Sequence, residues 1–425
     1  MTMTQETDAN WWDIAIRPEV RKDSAQNEIL GEGRINPPTE DGRKLLSYFA
    51  YLDLDRLLSA QRPASRVPDE RVFLITHQLF ELVFKQVVFD LLVIAESFHH
   101  LLDIPKEDEF LRLAVQPDPG AEVDFWTPAA NAARRVRYCC ESVLQVILPL
   151  VSGSEKTGGQ HFSNQEYILF RDYLFPASGF QGGQLRLIQR AMGKGNLLDL
   201  QAFPSHEYRR NYQGRAEHGL TNIANELILQ EGARFAFPED GSHSARVAEF
   251  EDTAHALLLR LARHASLDGT PPGALPRIEG AAGERAAGIL EKQLGNGAQD
   301  AGPLAERFRQ DFASIMEREN ARRAALDAAR PGAQYLRQTA PGGALCAVLD
   351  CLAAADEALH APRATSFMRL HYDIAREHLH GFRQAGIPMG TAGGGLEYLS
   401  FSLHSLLPLF PALIGYRQDA GALAG

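Results

Sequence analysis

The chain has 425 residues, 45% of them apolar and 23% charged, the balance of a globular protein rather than a disordered or fibrous one. Its 54 acidic against 43 basic side chains give a formal net charge of −11, which disfavours a nucleic-acid partner. No run of about 18 uncharged apolar residues is present to span a bilayer, and the opening MTMTQETDANWWDIAI lacks the basic region and apolar core of a signal peptide, so the expectation is a cytoplasmic protein with no membrane partner.

Residues 1–40 are polar and irregular, with Pro37-Pro38 before the first regular segment, and read as an N-terminal arm; 41–425 reads as a single domain. From Arg71 to His100 there is no Gly or Pro, and apolar positions cover most of a helical wheel, which predicts a buried central helix. Ala129 to Val151 predicts a second long helix, with Thr127 as its N-cap and Pro128 at its first position. Two shorter helices are expected over Asn164–Leu174 and Gln181–Met192, separated by a turn containing Pro176 and Gly179. Residues 268–304 are rich in Gly, Pro and Ala, and 305–330 reads as a solvated charged helix, so about 232–340 is expected to be a peripheral insertion. Helical patterning returns at 342–360, 364–382 and 394–412. No strand-like alternation of any length and no internal repeat occurs, and the fold class expected is all-α.

The four cysteines, Cys139, Cys140, Cys346 and Cys351, form neither a CxxC pair nor a CxxCH haem-attachment motif and read as small buried apolar residues. His77 lies inside the most apolar helix, with Phe73 one turn before it and Glu81 one turn after on the same face. It is either a core histidine with a satisfied hydrogen bond or a hydrogen-bonding group facing a pocket. Arg171, among Tyr167, Phe170 and Leu174, is either a bidentate clamp for a carboxylate or an ordinary ion pair with a neighbouring acid. His371, His378 and His380 suggest a zinc site at first sight; however, 371 and 378 are two full turns apart and 378 and 380 point to different faces, so one of them as a single axial haem ligand fits better. The loop Met389–Gly395 allows close backbone approach to a ligand or is a plain connector, and it lacks the lysine of a phosphate-binding loop.

Four blocks, taken in order, resemble the tryptophan 2,3-dioxygenase family: YFAYLDLDRLLSAQ (48–61), VFLITHQLFELVFKQVVFDL (72–91), FRDYLFPASGFQGGQLRLI (170–188), and HYDIARE followed by GTAGGGLEYL. They cover about a third of the chain. The resemblance implies a helical haem-dioxygenase-like bundle with long central helices, a haem b whose iron is held by His371, and His77 facing the opposite pocket. It implies Phe73 and Tyr167 as pocket aromatics, Arg171 as the substrate-carboxylate clamp and Thr391 as a contact to the substrate amino group. Tyr48 and Tyr51 match a segment lent to a neighbouring subunit, which implies a homo-oligomer, a tetramer or a dimer. The activity implied uses O₂ as co-substrate and opens the indole C2–C3 bond of L-tryptophan or a similar small aromatic substrate to an N-formylkynurenine-type product, with His77 orienting the indole N–H.

Departures from the family pattern cluster toward the substrate end. Val83 stands where a tryptophan is usual, Gly182-Gly183 replace a serine-containing pair, Ala392 interrupts the glycine loop, and about six additional residues separate His371 from that loop, which leaves His378 as the alternative ligand. A haem-dependent monooxygenase of a modified indole or tyrosine-like aromatic is therefore the competing function. A haem-free helical binding protein is a third reading, opposed by the cost of burying His and Arg without partners.

Overall fold

The computed structural model describes residues 52–115, 125–151, 162–170, 182–194, 241–265, 327–360 and 366–384, with isolated positions between 173 and 322. All regular structure among these residues is helical, as the sequence pattern predicts. The arm at 1–40, Tyr48, Tyr51, Arg171, the loop containing Thr391 and the helix expected over 394–412 lie outside the described residues, as does most of 268–304. The chain divides into two compact units, 1–75 and 76–425.

In the first unit, α1 (Leu54–Ser59) follows Asp53, whose φ of 47° places it in the left-handed region at the helix start. Helix α2 (Pro68–Leu102) begins three residues before the expected Arg71, because a proline suits the first turn and Asp69 and Glu70 favour the positive end of the helix dipole. Glu70 is buried and accepts the backbone N–H groups of Ala64 and Ser65 at 2.6 and 2.7 Å, pinning the entering turn. Phe73, also buried, belongs to this unit.

Within the second unit, α2 buries Phe80, Phe84, Val87, Val88, Leu91 and Phe98 and leaves Leu79, Leu82 and Phe89 exposed. Asp90 is wholly buried and takes a bidentate contact from Arg135, at 2.6 Å to Nη2 and 3.1 Å to Nε, with Gln86 donating at 2.9 Å. A buried carboxylate persists only when its lone pairs are occupied in this way.

Helix α3 (Glu107–Val115) precedes α4 (Thr127–Tyr138). The N-cap of α4 is Trp126 and not Thr127, and no side chain caps it. Pro128 tolerates either of the first helical positions, so it does not fix the boundary. Trp126 is anchored instead by its indole N–H, which donates to the Leu113 carbonyl at 2.7 Å, and by edge contact with Phe98. The small buried face of α4, Ala129, Ala130, Ala132 and Ala133, admits the later helix Ala344–His360 at close range.

The expected helix to Val151 is present as one run of changing pitch: a π-turn over Cys139–Val143, α5 (Leu144–Ile147), then a 3₁₀ turn over Leu148–Val151. Pro149 has no N–H to give to the carbonyl four residues back, which suits the tighter ending. Helix α6 (Asn164–Phe170) is shorter than the pattern suggests, and α7 (Gly183–Gln189) runs into a second π-turn that breaks at Gly193, where φ is 81°.

Helices α8 (Gly241–Ala248), α9 (Phe250–Ala262) and α10 (Arg330–Thr339) fall in the span expected to be a peripheral insertion. Phe250, Leu257, Leu258 and Leu261 of α9 and Ala333 and Leu336 of α10 are buried, because their helical spacing makes an apolar face that the Gly- and Pro-rich sequence between them obscures. The two helices pack on each other at Gly332, where a Cβ would collide with the Leu258 carbonyl. α11 (Ala344–His360) and α12 (Phe367–Gln384) complete the unit; α12 packs on α5, α6, α11 and the 3₁₀ turn at Val151.

Arg260 of α9 closes the end of α2. It donates to the carbonyls of Leu102 and Ile104 at 2.9 and 2.8 Å and to Glu107 at 2.7 Å, and its guanidinium lies 3.8 Å from the Phe110 ring centre. The hydrogen bonds from Arg260 and then from His264 hold the Glu107 carboxyl at about 2, below its ordinary 4.5. The folded value lies below the unfolded one, so the stabilisation is complete above pH 4.5 and is lost as pH falls toward 2. In acid titrations followed by circular dichroism, Glu107→Gln is expected to lack this component of the unfolding curve; an unchanged curve refutes it.

Candidate functional site

The site is assembled within the second unit, from α2, α6, α12 and the 3₁₀ turn. His77 meets Phe80 edge-on at 5.8 Å between ring centres, Phe80 meets Phe367 at 5.6 Å, and Phe367 meets His371 at 5.9 Å. This chain of rings joins two histidines 294 positions apart in sequence, the two that the sequence reading singled out. A third imidazole, His378, stacks on Tyr167 at 4.5 Å with an interplanar angle of 27° and touches Phe162 at 5.9 Å. Tyr167 in turn packs edge-on against Phe170 at 5.4 Å.

His371 and His378 sit deep among packed atoms while each keeps part of its surface accessible. Depth governs the cost of charge. Desolvation, and then the neighbouring His77, lower His371 to about 4. Desolvation, and then His371 and His77, lower His378 to about 3, against a smaller opposing effect of a hydrogen bond to the Val151 backbone. Both imidazoles are therefore neutral at pH 7, the form in which a ring nitrogen offers a lone pair to a metal. The Nε2 of His378 is buried and has no hydrogen-bond partner. Such an orphaned nitrogen fits an iron-bearing haem, which histidine holds through one bare ring nitrogen.

One turn beyond His77, Glu81 receives the side-chain amide of Gln184, at 2.7 Å to its carboxylate and 2.8 Å to its backbone carbonyl. Burial raises the Glu81 carboxyl and the Gln184 bond lowers it by less. Gln184 thus ties α7 to the helix that carries His77. Its Oε1 is buried without a partner. The sequence places Gln184 in a recognisable motif without a role.

Among the described residues no group of three or more His, Cys, Asp or Glu is arranged to hold a bare metal ion. No described helix is long and apolar enough to cross a membrane. Of the expected site residues, His77 and His371 come together, and Tyr167 lies against His378; Arg171, Thr391, Tyr48 and Tyr51 lie outside the described residues.

Among the described residues the fold is helical, and the neutral imidazoles of His371 and His378 lie on α12, the first linked to His77 of α2 through aromatic rings. The sequence model of the tryptophan 2,3-dioxygenase family matches residues 35–113. The chain is similar to the tryptophan 2,3-dioxygenase of Xenopus tropicalis, 29% identical over 211 residues, covering 48% of this chain and 44% of that protein. It is 30% identical over 212 residues to that of Xenopus laevis, covering 48% and 42%. With the Bdellovibrio bacteriovorus protein of the same name it shares 30% over 189 residues, 43% and 45% of the two lengths. Over these stretches the chain is similar to the tryptophan 2,3-dioxygenase family, and its matches span a little under half the length of these relatives.

Proposed function

We propose that this protein is a haem-dependent oxygenase that opens the indole C2–C3 bond of L-tryptophan or a tryptophan-like substrate to an N-formylkynurenine-type product. The observation that carries the reading is the pair of neutral, deeply set imidazoles on α12, one with a bare nitrogen, opposite His77 on α2. When bound, haem b supplies the redox centre at which O₂ is used. The family pattern assigns the iron to His371.

The remaining roles belong to the chain itself. His77 accepts the indole N–H and orients the ring, with the edge of Phe80 limiting its rotation. Phe73 and Tyr167 supply aromatic walls, Arg171 a fork for the substrate carboxylate, and Thr391 a contact to the amino group. Tyr48 and Tyr51 complete the pocket of a neighbouring subunit in a homo-oligomer, a tetramer or a dimer. The working compartment is the cytoplasm.

A second reading, single-atom insertion into another aromatic, is favoured by the half-buried Val83, which is far smaller than the tryptophan usual in the family and leaves room for a different substrate. Optical spectra of ferric and reduced protein with and without L-tryptophan, followed by product analysis under ¹⁸O₂, decide between them. Two labelled atoms in a ring-opened product establish dioxygenation; one labelled atom in another aromatic establishes the second reading, and a purified protein that takes up no haem removes both. His77→Ala is expected to lower kcat/KM by roughly tenfold to a hundredfold, the worth of one hydrogen bond to a buried polar group. The number of oxygen atoms incorporated should stay unchanged, and a complete loss of turnover at full haem content contradicts an orienting role.

A further inference from the structure

Gln184 of α7 is 4% exposed and only half bonded. Its amide nitrogen donates one N–H to the Glu81 carboxylate at 2.7 Å and the other to the Glu81 backbone carbonyl at 2.8 Å. A backbone carbonyl can only accept, so the amide has one permitted orientation, which leaves Oε1 buried without a hydrogen-bond partner. An unpaired buried acceptor costs free energy that an apolar side chain of the same length avoids. Stability alone therefore does not select glutamine here; what this side chain supplies is the pair of N–H groups on Glu81.

Both bonds fall on the turn of α2 that follows His77. In a helix the N–H of residue 81 bonds to the carbonyl of residue 77, and the two side chains share a face. The positions three and four residues from His77 carry Phe73, Leu74, Phe80 and Glu81, so Glu81 is the one acid within a turn of the imidazole. Unclamped, its carboxylate would be free to draw the imidazole N–H toward itself and turn the ring; clamped, it is directed to α7. α7 is a firm anchor for this purpose. Leu187 and Ile188 are buried, and in the π-turn that follows the Gly193 carbonyl accepts a hydrogen bond from Arg322, which also pairs with the buried Glu251 of α9 at 3.4 Å.

Resting on the oxygenase reading above, we infer that Gln184 is a positioning residue for the reaction: its two-point clamp on Glu81 holds the turn of α2 that carries His77, and with it the imidazole that orients the substrate ring. In this role Gln184 acts through His77 alone.

Gln184→Met keeps the length of the side chain and removes both donors. A double-mutant cycle on kcat/KM for L-tryptophan, normalised to bound haem, compares the wild type, Gln184→Met, His77→Ala and the double variant. Gln184→Met is expected to lower kcat/KM by about threefold to tenfold in the wild-type background and by less than about twofold once His77 is alanine. A merely structural glutamine lowers it equally in both backgrounds; that outcome, or no loss in the wild-type background, overturns the assignment. Hydrogen exchange of the peptide covering residues 77–85 gives a reading independent of turnover. It is expected to quicken severalfold in Gln184→Met while exchange elsewhere stays as in the wild type, and unaltered exchange there overturns the clamp. A wild type that leaves L-tryptophan unchanged overturns the oxygenase reading instead, and the clamp is then judged by the exchange alone.

Discussion

Gly332→Ala is expected to destabilise the protein by about 3–5 kcal/mol, the range for a forced steric conflict in a packed core. In an ordinary helix the same change helps by roughly 0.5–1 kcal/mol, because glycine loses more backbone freedom on folding. The sign reverses here because α10 crosses α9 with no room for a side chain. A Cβ at position 332 would overlap the Leu258 carbonyl oxygen and lie 2.8 Å from the Ala262 nitrogen. Both obstacles are helix backbone, which yields only if the two helices separate, and separation would open the contact that buries Leu258 and Leu336. Denaturant unfolding followed at 222 nm measures the effect. A midpoint equal to or above that of the wild type would mean that the crossing is looser than described.

Arg260→Ala should be nearly as damaging, about 2–4 kcal/mol, since it strips partners from several groups at once. The guanidinium, 13% exposed, serves the last carbonyls of α2, the Glu107 carboxylate and the Phe110 ring together. Leu102 and Ile104 would be left with unpaired acceptors at a helix end, where the backbone has no intrahelical donor to offer. Arg260→Lys restores charge but not the planar fork, so it should recover less than half of the loss. If the lysine variant is as stable as the wild type, charge alone accounts for the contact and the fork is dispensable.

The sequence makes α2 legible because thirty residues pass without Gly or Pro; the helix extends beyond them at both ends, and Pro68 at its start reads equally as a loop residue. The pitch changes after Tyr138 leave no such mark: CCESV contains nothing that demands a π-turn, and the reason lies in how the flanking segments pack. The apolar faces of α9 and α10 are harder to read, because they stand on either side of the Gly- and Pro-rich 268–304 stretch, whose composition dominates the span. At the site, His77 and His371 are legible as polar residues in matched motifs. The Val151 contribution is not, because a backbone carbonyl has no sequence signature; only packing reveals which imidazole it meets.

The π-turn at Cys139–Val143 also sets how the chain accommodates changes in length. A helix advances about 100° per residue, so one residue added to a regular stretch would swing everything downstream to a different side. A π-turn holds one residue more than an α-turn and absorbs it locally, leaving the phase of both flanks unaltered. The alanine face of α4 and the carbonyl of Val151 therefore keep their angular relation across an odd-length insertion. Loss of one residue between 139 and 143 would leave that relation intact, whereas loss of one within Thr127–Tyr138 would rotate the alanine face against the Val151 end by about 100°. The segment is a point where length can vary while the neighbours of α12 stay in place.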